Sequence, residues 1–140
     1  MPNNIQFISQ DVAFQLKQKR KIKKWLTDLI NSHQKRVGEI SIVFSNNDYV
    51  LEVNKQFLSH DFYTDIITFN YNEDDFISGD LIISIDMVRE NAENYKETFE
   101  RELHRVVVHG ILHLLGLNDE TKTEEAAMRI AENNALKMLY

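Results

Sequence analysis

Residues 109–119 of this 140-residue chain read H-G-I-L-H-L-L-G-L-N-D, and this stretch decides the fold and chemistry that we expect. His109 and His113 lie four positions apart, so on a helix their rings point to the same side. Gly116 stands where a helix would end in a left-handed turn and let the chain fold back. Asp119 then follows at the spacing of a third ligand. Two imidazoles and a third protein ligand, with a fourth position left for water, predict a catalytic zinc site.

The alternative interpretation of the histidine pair is a chance occurrence of two surface or core residues. The residues around them, 106–108 and 111–115, are apolar apart from His113 itself, which predicts a buried helix. An imidazole buried without a partner would cost free energy. Burial, spacing and turn therefore favour the metal site. His104 and His33 belong to no such pattern and are interpreted as structural or surface residues.

The residue after the first histidine limits the chemistry of the predicted site. Zinc peptidases with an H-E-x-x-H helix place a glutamate there as the general base, whereas this chain has Gly110. The ion would therefore activate water largely by itself or with the help of another carboxylate. The candidates for that general base are Glu120, Glu124 and Asp80.

Composition excludes several classes of protein. The chain has no cysteine, so a metal must bind to nitrogen and oxygen ligands, and disulfides are excluded. The formal charge of −6 argues against nonspecific binding of nucleic acid. We see no secretory signal and no apolar run that could span a membrane, and we expect a cytoplasmic protein without a membrane partner. The exception to the acidic balance is a basic cluster within residues 17–24, interpreted as the solvated face of a helix or as a nucleic-acid patch.

Hydrophobic periodicity predicts one compact α+β domain over residues 1–140, with about four strands in a small mixed sheet and about five helices. The predicted strands are residues 5–9, 39–44, 64–71 and 79–85. The predicted helices are residues 17–32, 50–58, 86–95 and 98–116, and a last helix after a capping box of Thr121 and Glu124. Met128, Ala131, Ala135 and Met138 form the predicted buried stripe of that last helix.

Three segments of the chain resemble the YbeY family of bacterial endoribonucleases and ribosomal RNA maturation factors. Residues 109–116 are similar to the family's H-G-x-L-H-L-x-G motif, and residues 79–84 (G-D-L-I-I-S) to its G-D-[IL]-x-I-S strand. Asn54 with residues 64–69 (T-D-I-I-T-F) resembles its N…T-D-V-L-S-F segment. The order and spacing also match, so the resemblance covers essentially the whole chain.

The resemblance implies a metal-dependent endoribonuclease that cleaves single-stranded RNA. Its ion would be one zinc, with manganese or another divalent metal as the alternative. It would polarise a phosphate oxygen and activate the attacking nucleophile. The resemblance further implies a role in ribosomal RNA maturation and ribosome quality control, with ribosomal RNA and the small ribosomal subunit as partners. No obligate protein partner can be inferred.

Two positions depart from the family pattern. The family's third histidine is replaced by Asp119, so the predicted ligands are His109, His113 and Asp119, with Glu120 as the fallback. An aspartate ligand lowers the charge of the ion site and should increase tolerance of harder metals such as manganese. The second departure is Leu58, where the family commonly carries an arginine suited to a phosphodiester. The candidates for compensating RNA contacts are His60, Lys19, Arg20 and Lys23.

Two other functions remain open from the sequence. One is a zinc metallopeptidase, which the spacing of the histidines suggests and Gly110 opposes. The other is a non-catalytic ribosome-assembly factor in which the metal only stabilises a turn. Structural zinc sites usually have four protein ligands, and the sequence offers only three.

Overall fold

A four-stranded mixed sheet forms the centre of the computed structural model, which describes residues 4–59 and 63–140. Its strands are β1 (Asn4–Ser9), β2 (Arg36–Ser45), β3 (Ile66–Asn70) and β4 (Phe76–Ser84). They lie in the order β1-β2-β4-β3. β1 pairs with β2 and β2 with β4 in parallel, whereas β3 runs antiparallel to β4. β3 is therefore an edge strand, and one of its sides is left for other contacts.

Five helices cover the sheet. They are α1 (Lys19–Ser32), α2 (Asn47–Leu58), α3 (Ile85–Tyr95), α4 (Phe99–Leu114) and α5 (Lys122–Leu139). α1, α4 and α5 share the main core with the apolar residues of one sheet face. α2 packs on the opposite face, where Val50 meets Ile67 and Ile82. The predicted class, α+β with about four strands and five helices, is confirmed.

Local capping chemistry explains where the helices begin. Asn46, Ser84 and Thr98 each accept a hydrogen bond from the backbone N–H three residues later, at the start of α2, α3 and α4. At the start of α5, the predicted capping box is present: Thr121 and Glu124 each accept the other's backbone N–H. These caps fix the positions from which the following chain segments enter the core.

Several details of the predicted elements were wrong. β4 begins at Phe76 instead of residue 79, and α2 begins at Asn47 instead of residue 50. β2 begins at Arg36 instead of residue 39, because the strand continues through a register shift between Val37 and Ile40. Met138 is 49% exposed and does not belong to the buried stripe of α5. The buried positions of α5 are 128, 132, 135 and 136, so the buried face is rotated from the predicted one toward Glu132 and Leu136. Sequence patterning favoured Met138 because Glu132, a charged residue, occupies the buried face.

The helix α4 is the central helix, and it lies unusually close to the sheet. A Cβ atom on Gly110 would be 2.7 Å from Cδ1 of Ile66 and 2.9 Å from the methyl groups of Leu81. On the strand side, a Cβ atom on Gly79 would be 2.8 Å from Cδ2 of Leu114. The two glycines therefore let the helix and sheet backbones approach each other.

In the described ranges 4–59 and 63–140, no helix combines the length and apolar character needed to cross a bilayer.

Substituting Gly79 tests this close packing. In Gly79→Ala the new Cβ would lie 2.3 Å from the backbone oxygen of Phe69, which cannot move without disturbing the ladder between β3 and β4. Overpacking of this kind costs about 1–3 kcal/mol. We expect urea unfolding to show that loss, while Ser41→Ala in the adjacent strand changes stability by less than about 0.5 kcal/mol. Equal stability of Gly79→Ala and wild type would contradict the close approach.

Candidate metal centre

The helix α4 and the turn after it bring together the three residues predicted as ligands. His109 and His113 lie one turn apart on α4, whose surrounding residues are buried. The helix ends in a turn in which Gly116 donates to the oxygen of His113 and Leu117 donates to the oxygen of Leu112, each at 3.0 Å. Gly116 has φ of 101°, in the left-handed region that favours glycine. The chain reverses there and carries Asp119 back over the two rings.

The distances among these three side chains fit a metal ion. Nε2 of His109 lies 3.1 Å from Nε2 of His113 and 3.3 Å from Oδ2 of Asp119. The same carboxylate oxygen lies 3.5 Å from Nε2 of His113. Ligand atoms placed tetrahedrally at zinc–ligand distances of about 2.0–2.1 Å would be separated by about 3.3 Å. The three atoms are therefore spaced as ligands of one ion, and their chemistry, two imidazoles and a carboxylate, suits zinc or manganese.

The remaining candidate carboxylates lie away from this cluster. Glu120 is exposed and is not part of the ligand group among the described residues. The carboxylate of Glu124 accepts the backbone N–H of Thr121 in the capping box. Asp80 lies between Gly79 and Leu81, which face α4, so strand alternation directs its side chain to the other face of the sheet. There it accepts a hydrogen bond from the Tyr71 hydroxyl at 3.3 Å.

Three of the residues predicted to contact RNA also lie away from the metal cluster. Lys19, Arg20 and Lys23 are exposed on the first turns of α1, and the neighbouring Lys17 lies 3.7 Å from Glu100 at the start of α4. Thirteen helical residues, or about 20 Å, separate that end of α4 from His113. These three basic residues therefore do not join the cluster. His60 lies outside the described residues.

A cleft opens along the edge strand beside the metal cluster. It has a volume of about 560 Å³. Its lining residues are Asn54, Leu58, Thr64, Ile66, Ile67, Thr68, Asn70, His113 and Asp119. Leu58 thus faces the cleft, which His113 and Asp119, two of the predicted ligands, also line. Asn72 anchors the loop that follows β3, because its side-chain amide donates to the oxygen of Leu114 at 2.8 Å.

Sequence analysis missed a chain of buried charges behind His109. Nδ1 of His109 lies 2.6 Å from Oε2 of Glu132, and Oε1 of Glu132 accepts from Nη1 of Arg105 at 3.0 Å. Arg105 also donates to both carboxylate oxygens of Glu102. Glu102 and Glu132 are only 1% and 2% exposed. The sequence does contain one signal for this contact. Glu132 follows Met128 by four residues and so lies on the apolar face of the last helix, and a charged residue on such a face indicates a buried partner.

These contacts shift the pKa values of both members of the histidine–glutamate pair. Burial lowers the pKa of His109, but the hydrogen bond and negative charge of Glu132, with a further contribution from Asp119, raise it above its ordinary value. Burial raises the pKa of Glu132, and its hydrogen bonds with His109 and Arg105 outweigh this and lower it. Without a metal ion both shifts favour the charged forms, protonated His109 and ionised Glu132.

Asp65 is a partly buried carboxyl group that interacts electrostatically with His109. Its side chain accepts a hydrogen bond from Asn91 at 3.2 Å, and its backbone oxygen accepts from Ser84 at 2.9 Å. Burial raises the pKa of Asp65, and the positive charges of His109 and Arg105 oppose this only in part. These bonds join the start of β3 to the junction of β4 and α3.

His104, by contrast, has a packing role. It is buried, its ring lies edge-on to Trp25 at 5.9 Å, and its Nδ1 is hydrogen-bonded to the hydroxyl of Tyr140. It belongs to the contact of α4 with α1 and the end of α5, and it lies outside the ligand group.

Comparison with known proteins assigns the chain to a family. The sequence profile of the family described as "Endoribonuclease YbeY" matches residues 4–140. The chain belongs to the YbeY family. The resemblance recognised in the sequence motifs is therefore confirmed.

Individual YbeY relatives are similar over most of their length. The protein named Endoribonuclease YbeY from Phocaeicola vulgatus is 52% identical over 121 residues, which cover 86% of this chain and 88% of the relative. The one from Porphyromonas gingivalis is 48% identical over 135 residues, or 96% of this chain and 89% of the relative. Among solved structures, the solution structure of TM1509 from Thermotoga maritima aligns with a TM-score of 0.69 and 27% identity, covering 97% of this chain and 89% of that one.

The raised pKa of His109 predicts a pH-dependent stability of the metal-free protein. The stabilisation from the charged ring is fully present below the unfolded-state pKa of about 6.5 and is lost as the pH rises through the higher folded-state value. With chelator present, the unfolding midpoint of wild type should therefore fall relative to that of His109→Gln as the pH rises above about 6.5.

Comparing wild type with His109→Gln removes the contribution of His104 to the pH dependence of stability. Burial lowers the pKa of His104, so its contribution changes with pH in the opposite direction. His104 is present in both proteins, and its contribution cancels in the difference. A difference between the two midpoints that stays constant or increases with pH would contradict the ion pair of His109 and Glu132.

Proposed function

We propose that this YbeY protein is a metal-dependent endoribonuclease that cleaves single-stranded RNA during ribosomal RNA processing and ribosome quality control. The observation that carries the proposal is the His109, His113 and Asp119 cluster, spaced for one ion and open to a cleft. The relatives named endoribonuclease support RNA as the substrate. Three protein ligands leave a position for water or substrate, as in catalytic rather than structural zinc sites.

The residues of the cleft account for substrate binding beside the cluster. When bound, a divalent ion would polarise a phosphate oxygen and lower the pKa of water. Thr64, Thr68 and Asn70 line the cleft along the edge strand and can hydrogen-bond to phosphate, ribose or base groups. The cleft is bounded by side chains from α2 and the turn after α4, which suits an unpaired strand whose bases can be splayed out. Leu58 supplies an apolar contact where an arginine would bind phosphate.

A metallopeptidase is less well supported by the same geometry. The position at which peptidases carry the glutamate base is Gly110, whose Cα packs against Ile66 and Leu81 in the core. A glutamate side chain has no room there. In the described part of the chain, Asp119 is the only carboxylate in the group that could hold a metal ion, so no second carboxylate is available there as a general base.

Removing one ligand tests the metal site and the activity together. His113→Ala should lose stoichiometric zinc, measured by metal analysis of the pure protein, and should lose cleavage of a labelled single-stranded RNA. Wild type should lose the cleavage with chelator and regain it with zinc or manganese. Full metal content in His113→Ala would overturn the ligand assignment.

The same purification also controls for contaminating nuclease. Cleavage by His113→Ala at the wild-type level would show that the activity belongs to another protein. Metal-dependent cleavage of casein, without cleavage of RNA, would favour the peptidase. Metal binding without either activity would favour an assembly factor. For the ribosomal substrate, the ends of small-subunit ribosomal RNA precursors can be sequenced in depleted cells complemented with wild type or His113→Ala.

The carboxylate ligand predicts the metal preference. Asp119→His replaces the single oxygen ligand with nitrogen, and zinc prefers imidazole more strongly than manganese does. We therefore expect the affinity for manganese relative to zinc to fall by about tenfold or more. Competition between the two metals, followed by metal analysis, measures the ratio. An unchanged ratio would argue against Asp119 as a ligand.

A further inference from the structure

Both ring nitrogens of His109 are engaged, each on a different side. Nε2 faces the cluster, 3.3 Å from Oδ2 of Asp119, and Nδ1 lies 2.6 Å from Oε2 of Glu132. An ionised carboxylate can only accept hydrogen bonds, so Nδ1 must carry the proton that lies between them. In the neutral ring this leaves the lone pair on Nε2, the atom that faces the ligand cluster.

Glu132 is itself held in place from the side opposite His109. Its Oε1 accepts from Nη1 of Arg105 at 3.0 Å. The guanidinium of Arg105 is fixed in turn by two hydrogen bonds to Glu102, from Nε at 3.0 Å and from Nη2 at 2.5 Å. Charges this deeply buried remain in place only when paired, and losing one partner leaves the other uncompensated. The Glu132 carboxylate therefore has one orientation available to it.

The two histidines differ in this respect. Nε2 of His113 faces the cluster as well, but within residues 4–59 and 63–140 no group is hydrogen-bonded to its Nδ1. Its side chain is also more exposed, at 27% compared with 19% for His109. The buried charges thus orient one ligand of the pair and leave the other to adjust.

We propose that Glu132 is a positioning residue of the metal centre, which holds the ring of His109 with Nε2 directed at the ion, and that Arg105 and Glu102 hold Glu132 in that position. The inference rests on the proposed metal site and adds residues from α5 and from the first half of α4 to it. Loss of partners that orient a metal-bound histidine typically weakens metal affinity 10–100-fold, and we expect about that loss in Glu132→Ala.

Two conservative variants separate position from charge. Glu132→Gln keeps the length of the side chain and an oxygen that can accept from Nδ1, but it has no charge. Glu132→Asp keeps the charge and is one methylene shorter, so it cannot reach Nδ1 and Arg105 together. Glu132→Gln cannot accept from both Nδ1 and Arg105, because an amide nitrogen replaces one carboxylate oxygen. If Glu132 acts by position, Glu132→Gln should therefore lose less of the affinity for zinc than Glu132→Ala, whereas Glu132→Asp should lose nearly as much as Glu132→Ala.

The experiment measures zinc affinity by competition with a chromophoric chelator, without any RNA. The matched control is Glu97→Gln, because Glu97 forms an exposed ion pair with Arg101 at 3.0 Å, at the other end of α4. Such exposed pairs contribute little to stability, so we expect this control to bind zinc as wild type does. Unfolding of each metal-free variant, followed by circular dichroism, shows that the compared proteins are folded.

Nuclear magnetic resonance gives a readout that a purely structural role would not change. In zinc-loaded wild type, the Nδ1 proton of His109 should be protected from exchange, and that protection should be lost in folded Glu132→Ala. Wild-type affinity in both Glu132→Ala and Glu132→Asp would overturn the proposal, as would an affinity loss in Glu132→Gln with none in Glu132→Asp. If wild type itself binds no zinc, the metal site of the proposed function is overturned as well, whereas normal binding by the Glu132 variants overturns only this inference.

Discussion

The close approach of α4 to the sheet is the constraint on which the rest of this structure depends. Gly110 on the helix and Gly79 on β4 leave no room for a side chain between the two backbones. Because interiors are packed to crystal-like density, this contact fixes the depth and rotation of α4. The same rotation places His109 and His113 at the boundary of the core, where His113 lines the cleft and Nε2 of His109 lies 3.1 Å from Nε2 of His113. Because most residues of α4 are buried in the core, the helix has little freedom to move His109 and His113.

Much of the candidate site follows from the sequence because its parts are local. The two histidines, the turn at Gly116 and the arrival of Asp119 lie within eleven residues, where helical geometry and glycine's backbone preference decide the outcome. Glu132 was missed because its partners are distant along the chain: His109 is 23 residues away and Arg105 is 27. The charge of such a residue suggests a surface position, and only tertiary packing shows that it is paired. Met138 was predicted to be buried because it is apolar, but an apolar residue near the end of a helix can remain exposed to solvent, as Met138 does.

The ion centre would be surrounded by more negative charge than its three ligands suggest. Glu102 and Glu132 share the buried positive charge of Arg105, so these three side chains carry a net charge of about −1 when ionised, and the exposed Arg129 lies 3.9 Å from Glu132. With Asp119 as a further carboxylate, a divalent ion would be close to neutralised by its surroundings. Such a site favours retention of the ion over strong acidification of water. The aspartate in place of the family's histidine and the buried glutamate pair therefore act in the same direction.

The segment that carries Asp119 is anchored at both ends. On one side, Leu117 donates to the oxygen of Leu112, and on the other the capping box starts at Thr121, two residues after Asp119. Ordering a backbone residue costs about 1–2 kcal/mol, and here most of that cost is already met during folding. The chain can thus take up an ion with little loss of conformational entropy. We therefore expect ion binding to be fast and to require little rearrangement of the backbone, because the segment that carries Asp119 is already held in its bound position.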